Sequence, residues 1–433
     1  MKTLHIGLIG FGTVGTGVVK TLLAQQTVLQ ARTGLRLEVA KIADLDLTTD
    51  RQVNVDSALL TTNADEILDD PKIDIVIELI GGYEPARTFI LKALRNGKHV
   101  VTANKALLAV HGQEIFDTAT QHQVDVGFEA SVGGGIPIIR SVREGLVANN
   151  FSEIYGILNG TTNYILTEMA EKGESFAQVL QRAQDLGFAE ADPTFDIEGI
   201  DAAHKIVLLT YLAFGQAVKM NQVFTEGVSH LQTLDITFAR ELGYTVKLIA
   251  IAKCSAEQVV EVRVHPMMLP NEHLLAKVDG SFNAVYVVGD IVDSTMFYGR
   301  GAGMMPTASA VVSDIVEIAR NIDKGIANRL PLLPNAEDAA RFTLQAPNRF
   351  RSRYYLRFTA IDRYGVLSKI SGVLAEHKIS IASVIQKEVP LAENTVPVVM
   401  LTYEASEHDM QQALIKIDQL DVLTDTTVVI RVL

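Results

Sequence analysis

The chain is short of several things, and each shortage closes a class of function. It holds one cysteine, Cys254, in 433 residues. One thiol builds neither a disulfide framework nor a cysteine-rich zinc site, and such usage fits a reducing compartment, the cytoplasm. Basic residues are in deficit, 38 Lys plus Arg against 51 Asp plus Glu, for a net charge of −13. A chain of that sign is a poor binder of a phosphate backbone, so nucleic acid is not an expected partner. The longest apolar run, Ile206 to Phe214, is far below the ~20 residues that cross a bilayer, so no membrane segment is expected. Residues 1–9 (MKTLHIGLI) are too short a run for a signal peptide. No long repeat or low-complexity tract is visible.

What remains is an ordinary globular composition, with a length that suggests about three domains at roughly 150 residues each. Short apolar strands at 4–9, 37–43, 73–80, 99–102 and 124–129 alternate with helical segments, including Val18 to Ala24 and Arg87 to Asn96. This alternation predicts an α/β fold, a parallel sheet with helices on both faces. After Ser131-Val-Gly-Gly-Gly-Ile-Pro137 the order becomes mixed, with strands expected at 153–158, 225–231, 246–252, 258–264, 273–279 and 283–289. That order predicts an α+β second domain over about 136–303. A helix over Pro306 to Asn321 is expected to return to the first domain, so 1–135 would be completed by about 304–322. Pro331, Pro334 and Pro347 mark 323–350 as a linker. Residues 351–433 then read βαββαβ, a ferredoxin-like split βαβ unit.

Gly10, Gly12 and Gly15 make G-x-G-x-x-G between the first strand and the first helix. The first glycine permits the tight turn, the second lets backbone approach a pyrophosphate, and the third lets helix meet strand. The free N–H groups and positive end of the helix then suit the phosphates. Gly10, Phe11, Gly12, Thr13, Val14 and Gly15 are therefore candidate dinucleotide ligands. Asp44, near the end of the second strand, would bind a ribose 2′-hydroxyl and favour NAD, whereas Arg51 and Lys41 nearby would receive the 2′-phosphate of NADP. Both cofactors stay open.

Residues 187–205 read GFAEADPTFDIEGIDAAHK. From Ile200 the spacing is helical, so Asp201 and Lys205 stand one turn apart on one face. The helix continues apolar on most sides, which predicts burial and sets the pair at the mouth of a cleft instead of on open surface. Hydride transfer to a carbonyl develops negative charge on oxygen, and an ammonium stabilises that charge and then donates its proton. Lys205 suits this role, and the adjacent Asp201 favours its protonated form. Glu190 and Asp196 suit a substrate ammonium. Lys105, at a strand end, is a further candidate.

Gly10-Phe-Gly-Thr-Val-Gly15, Thr102-Ala-Asn-Lys105, Glu129-Ala-Ser-Val-Gly-Gly-Gly-Ile-Pro137, Gly156-Ile-Leu-Asn-Gly-Thr-Thr-Asn163, the 187–205 segment and Gly299-Arg-Gly-Ala-Gly303 together resemble the bacterial three-domain homoserine dehydrogenases. The resemblance implies reversible NAD- or NADP-dependent interconversion of L-aspartate 4-semialdehyde and L-homoserine, a step of threonine, methionine and isoleucine biosynthesis. It implies Lys205 as proton donor or acceptor with Asp201 beside it, Glu190 and Asp196 on the substrate, and Lys105 on cofactor and substrate. Gly81, Gly187 and Gly303 would border the dinucleotide. It also implies a sodium ion on Glu129 and the carbonyls of Val132, Gly134 and Ile136, and a homodimer or homotetramer. The tail resembles an ACT domain, with Asp362, Tyr364, Gly365 and Val366 at an effector site for L-threonine. Tyr364 stands where proline is frequent. Deleting residues 351–433 is expected to leave catalysis and remove the threonine response.

Other readings are another ACT-tailed amino-acid-pathway dehydrogenase and a non-catalytic nucleotide and amino-acid sensor. A 2-hydroxyacid dehydrogenase would carry its glycine loop in mid-chain and a catalytic histidine, and a sensor would lose the acid–lysine cluster. An aspartate-semialdehyde dehydrogenase needs a thiolate, and Cys254, which ends the strand-like run Leu248–Lys253, reads as a structural cysteine.

Overall fold

The computed structural model describes residues 1–331, 342–386 and 394–433. They gather into two compact units: Met1–Ile154, His204–Met220 and Phe282–Phe342 in one, Tyr155–Ala203, Asn221–Ser281 and Thr343–Leu433 in the other. Among the described residues, no helix is long and apolar enough to cross a membrane.

The first unit is built on β1 (Thr3–Ile9), β2 (Arg36–Ala43), β3 (Leu60–Thr61), β4 (Ile75–Glu78), β5 (His99–Thr102) and β6 (Val126–Gly127). They form one sheet in the order β3-β2-β1-β4-β5-β6, with every pairing parallel. Leu4, Ile6, Leu8 and Ile9 of β1 are all buried, as expected of a strand with helices on both faces. The expected strand at 124–129 shrinks to Val126–Gly127, because Glu129 already begins a 3₁₀ turn. The helix Met304–Lys324 buries Ala308, Val311, Val312, Ile315, Ile318 and Ala319 on one stripe. It lies on the Thr13–Ala24 helix so closely that a Cβ on Gly17 would come within 2.8 Å of the Met304 carbonyl oxygen. Gly325, at φ 66°, ends it.

Further along the chain come β7 (Phe151–Ile157), β8 (Phe224–Thr225), β9 (Tyr244–Cys254), β10 (Val259–Pro270), the hairpin β11 (Phe282–Gly289) and β12 (Asp293–Arg300), then β13 (Thr343–Leu344), β14 (Arg351–Ile361), β15 (Ile381–Gln386), β16 (Thr395–Thr402), β17 (Ala405–Ser406) and β18 (Val428–Val432). The hairpin belongs to the first unit. In the second unit the strands run β9-β10-β18-β14-β16-β15.

Two expected strands are absent. Of 225–231 only Thr225 is extended, as the end of β8. Gly227 passes so close to Ile197 that a Cβ would sit 2.4 Å from its carbonyl oxygen, and the chain leaves the sheet to make that approach. Residues 273–279 form a 3₁₀ turn instead, capped by Leu275 N–H donating to His273 Nδ1.

The tail has its βαββαβ order. On β14 the side chains alternate. Tyr354, Leu356, Phe358 and Ala360 face a core shared with Ile370, Leu374, Met410 and Ile417. The opposite face carries Tyr355 and Arg357, which meet the Thr233–Glu241 helix. Arg357 Nε donates to Asp235 Oδ1 at 2.6 Å and the Tyr355 hydroxyl to the same oxygen at 3.1 Å. On β18, Arg431 is fully buried and donates to Glu407 and to Glu226. The end of the expected linker is also engaged, since Thr343 and Leu344 pair in parallel with Val259 and Val260. Residues 332–341 of that linker, and 387–393 of the tail, lie outside the described residues.

Candidate active site

The C-terminal ends of β1, β2 and β4 open onto a cleft of about 650 Å³, lined by Gly10, Gly12, Asp44, Leu45, Gly81 and Glu84 among others. This is where an open parallel sheet binds ligands. Gly10 has φ 101°, a conformation that favours glycine. A Cβ on Gly15 would stand 2.1 Å from the Gly10 carbonyl oxygen, so helix and strand meet only without a side chain there. Thr13 is the first residue of the helix. Val14 packs on the apolar core. Phe11 is buried under the Arg51 guanidinium, 4.8 Å from its ring centroid.

Asp44 is tied into this loop. Its Oδ2 accepts from Phe11 N–H at 2.5 Å and its Oδ1 from Asp46 N–H at 2.8 Å. Arg51 donates to the carbonyls of Phe11, Thr49 and Asp46. Lys41 meets Glu66 at 3.1 Å. On the other wall, buried Glu78 accepts from Ile80 N–H, Gly81 N–H and the Thr102 hydroxyl. Burial pushes its carboxyl pKa up against these donors. Asn104 caps the Lys105–His122 helix and donates to the Gly82 carbonyl at 2.7 Å, so Lys105 is held at a helix start beside the cleft loop.

Two glycine turns far apart in sequence meet in the same unit. Gly135 N–H donates to the Arg300 carbonyl at 3.0 Å, and a Cβ on Gly134 would lie 2.5 Å from the Gly301 carbonyl oxygen. Gly303, at φ 114°, then starts the Met304–Lys324 helix. Glu129 is buried, and its two oxygens accept from Ile139 N–H and Arg140 N–H, each at 2.8 Å. Burial raises its pKa.

In the second unit, Asn159 gathers the acidic segment. Its Nδ2 donates to Asp196 Oδ1 at 2.7 Å and to Asp201 Oδ2 at 3.0 Å. Its Oδ1 accepts from Thr162 N–H at 2.8 Å, which fixes which way the amide points. Gly187 turns at φ 74°. The following loop is tied down where the Thr161 hydroxyl donates to the Phe188 carbonyl at 2.8 Å. Glu190 is exposed. Asp201 lies in this unit's part of the Ile200–Phe214 helix and Lys205, one turn on, belongs to the first unit; they are only 4% and 8% exposed. The pair is therefore no surface salt bridge.

Comparison with known proteins agrees with this architecture. Residues 137–316 match the family model described as homoserine dehydrogenase, 10–129 its NAD-binding domain, and 354–421 the ACT domain. The chain is 44% identical to the homoserine dehydrogenase of Pseudomonas aeruginosa, over 100% of this chain and 99% of that one. The chain belongs to the homoserine dehydrogenase family. A crystal structure of a homoserine dehydrogenase from Thiobacillus denitrificans superposes with a TM-score of 0.92 at 45% identity, covering 100% of this chain and 99% of that one. A hyperthermophilic archaeal homoserine dehydrogenase in complex with NADPH is more distant, at a TM-score of 0.62 and 26% identity over 73% of this chain and 97% of that one.

Within this homoserine dehydrogenase fold, Gly10, Gly12, Asp44 and Gly81 line one cleft. Asp362, Tyr364, Gly365 and Val366 line another, of about 640 Å³, in the ACT unit. Gly365 turns at φ 87° to start the Val366–Glu376 helix, and the Tyr364 side chain is fully exposed. Sequence reasoning missed Asn159 and Glu78. The signal for Asn159 was an asparagine immediately before a Gly-Thr-Thr helix start. For Glu78 it was a carboxylate closing an otherwise apolar strand.

Proposed function

We propose that the chain interconverts L-homoserine and L-aspartate 4-semialdehyde reversibly with NAD or NADP, in the route to threonine, methionine and isoleucine. The observation that carries this reading is a lysine and an aspartate, both buried, one turn apart on a helix whose first turn is tied through Asn159 to a second carboxylate. When bound in the cleft at Gly10–Gly15, a nicotinamide dinucleotide supplies or accepts the hydride. Lys205 holds the proton that the substrate oxygen gains on reduction, and takes it back on oxidation. Asp201 keeps that side chain oriented. Glu190 and Asp196 bind the substrate ammonium, and Lys105 contacts cofactor and substrate. Phe11, Thr13, Val14, Gly187 and Gly303 complete the cofactor surround. Water exclusion around Lys205 strengthens its charge on the reacting oxygen.

Glu129 with the carbonyls of Val132, Gly134 and Ile136 suits a hard monovalent cation, sodium. Each Glu129 oxygen accepts one N–H, which leaves lone pairs for it, and such an ion would neutralise a buried carboxylate. In the tail, the Asp362–Val366 cavity takes L-threonine as a feedback inhibitor. The enzyme is read as cytoplasmic and as a homodimer or homotetramer. The deciding experiment is a spectrophotometric assay of L-homoserine oxidation with each dinucleotide, with and without threonine. Turnover that requires L-homoserine and stops in Lys205→Ala supports the reading. A purified chain inert with both dinucleotides overturns it.

A further inference from the structure

The dinucleotide cleft has an acidic lining. Its walls carry the carboxylates Asp44, Asp65 and Glu84 and, among the described residues, no lysine or arginine; Asp65 and Glu84 are paired behind the wall with Lys92 and Arg87, which leaves Asp44 as the acid that faces a ribose. The two cations that the sequence offered for a 2′-phosphate are turned to other tasks. Arg51 donates Nε to the Phe11 carbonyl, Nη1 to that of Thr49 and Nη2 to that of Asp46, lies over the Phe11 ring, and shares its Nη2 between two carboxylates, 3.7 Å from Asp44 Oδ1 and 3.6 Å from Asp46 Oδ2. Lys41 meets Glu66 and the Ala58 carbonyl. Asp44 cannot swing aside, because each of its oxygens accepts a backbone N–H, one of them from the glycine loop itself. A fixed carboxylate at the end of the second strand accepts a hydrogen bond from a ribose 2′-hydroxyl and repels a 2′-phosphate.

We infer that this chain uses the dinucleotide without a 2′-phosphate, NAD, in preference to NADP, and that Asp44 sets the preference. The inference rests on the reading of the cleft under Proposed function and narrows it. Nothing in it requires turnover, so binding alone tests it.

The experiment titrates the full-length protein with NADH and with NADPH, following nicotinamide fluorescence, and repeats the titrations on two variants. NADH should bind at least roughly tenfold more tightly than NADPH, the least that a repelled charge should cost. In Asp44→Asn the side-chain oxygen still accepts from Phe11 N–H but the charge is gone, and the NADH-to-NADPH ratio should narrow several-fold. Leu45 lines the cleft and is 91% exposed, so Leu45→Arg adds a cation without touching the core, and NADPH should gain several-fold. Equal or tighter NADPH binding by the unaltered protein overturns the inference and leaves the proposed function standing. An unchanged ratio in both variants overturns the role of Asp44. Failure of both nucleotides to bind overturns the inference together with the reading beneath it.

Discussion

Buried carboxylates meet different neighbours in the two units. In the first, Asp314 accepts from Glu129 N–H, and its pKa is pushed up to about 8, by burial first and then by the nearby Glu129 charge. In the second, Asp235 and Glu407 are just as buried but face guanidinium groups from β14 and β18. Burial alone would raise Glu407 too, yet Arg431 overturns that and leaves its pKa below the usual carboxylate range. Burial is common to both places; Arg140, 3.7 Å from Asp314, offsets it only in part, whereas the two-point contact of Arg431 with Glu407 reverses the sign. The arginine pairs of the second unit hold elements together, whereas the lysine of the Ile200–Phe214 helix is assigned to chemistry. The two kinds of buried cation should therefore fail in different ways when removed.

The largest expected effect separates them. Lys205→Ala should lower kcat by roughly 10²–10⁴-fold, the scale of a lost general acid, with dinucleotide affinity within a few-fold by fluorescence titration. A variant with near-full turnover would sink the assignment. Arg357→Ala should do the reverse. Losing one partner of a buried pair costs about 3–5 kcal/mol, read as a lower denaturant midpoint, because Asp235 is fully buried and keeps no guanidinium. Unchanged stability would show that the pair is not structural.

The same pair alters what truncation should do. The self-contained βαββαβ pattern of the tail predicts that it can be removed with catalysis intact. In the structure Met267 and Met268 of β10 pair with Arg431 and Val432 of β18, and Arg357 and Arg431 meet Asp235 and Glu226. Deleting residues 351–433 should strand both acids and bare a strand edge, so the product should be less stable or aggregate. A truncated protein with unaltered melting and full activity would mean that the tail is an independent module.

The smallest effect is at low pH. With its folded-state pKa below the unfolded value of about 4.3, Glu407 contributes stability that is present above that value. The contribution is lost as pH falls through the folded one. Denaturation midpoints should decline below about pH 4, and more shallowly in Glu407→Gln. Parallel acid limbs would show that other groups dominate.

Local signals carried a large part of this fold. The Gly10–Gly15 turn, the buried run of β1 and the period-two pattern of β14 are each set by a few adjacent residues. The failures came from distance. Asn159 reaches partners 37 and 42 residues away, and Arg357 reaches one 122 residues away, and no periodicity reports either. The 225–231 segment has strand-like residues, but the close pass of Gly227 outweighs their propensity. The partners of Arg51 and Lys41, the Phe11 carbonyl and Glu66, lie 40 and 25 residues away and leave no local signal either.

The Glu129–Asp314 contact joins groups 185 residues apart in sequence. Gly17 and Met304, which covers it, are 287 residues apart (304 − 17), so at a synthesis rate of ~5–20 residues per second the first helix waits roughly fifteen to sixty seconds for its cover. During that interval the apolar face around Gly17 lacks its cover, and a nascent chain in that state is exposed to aggregation.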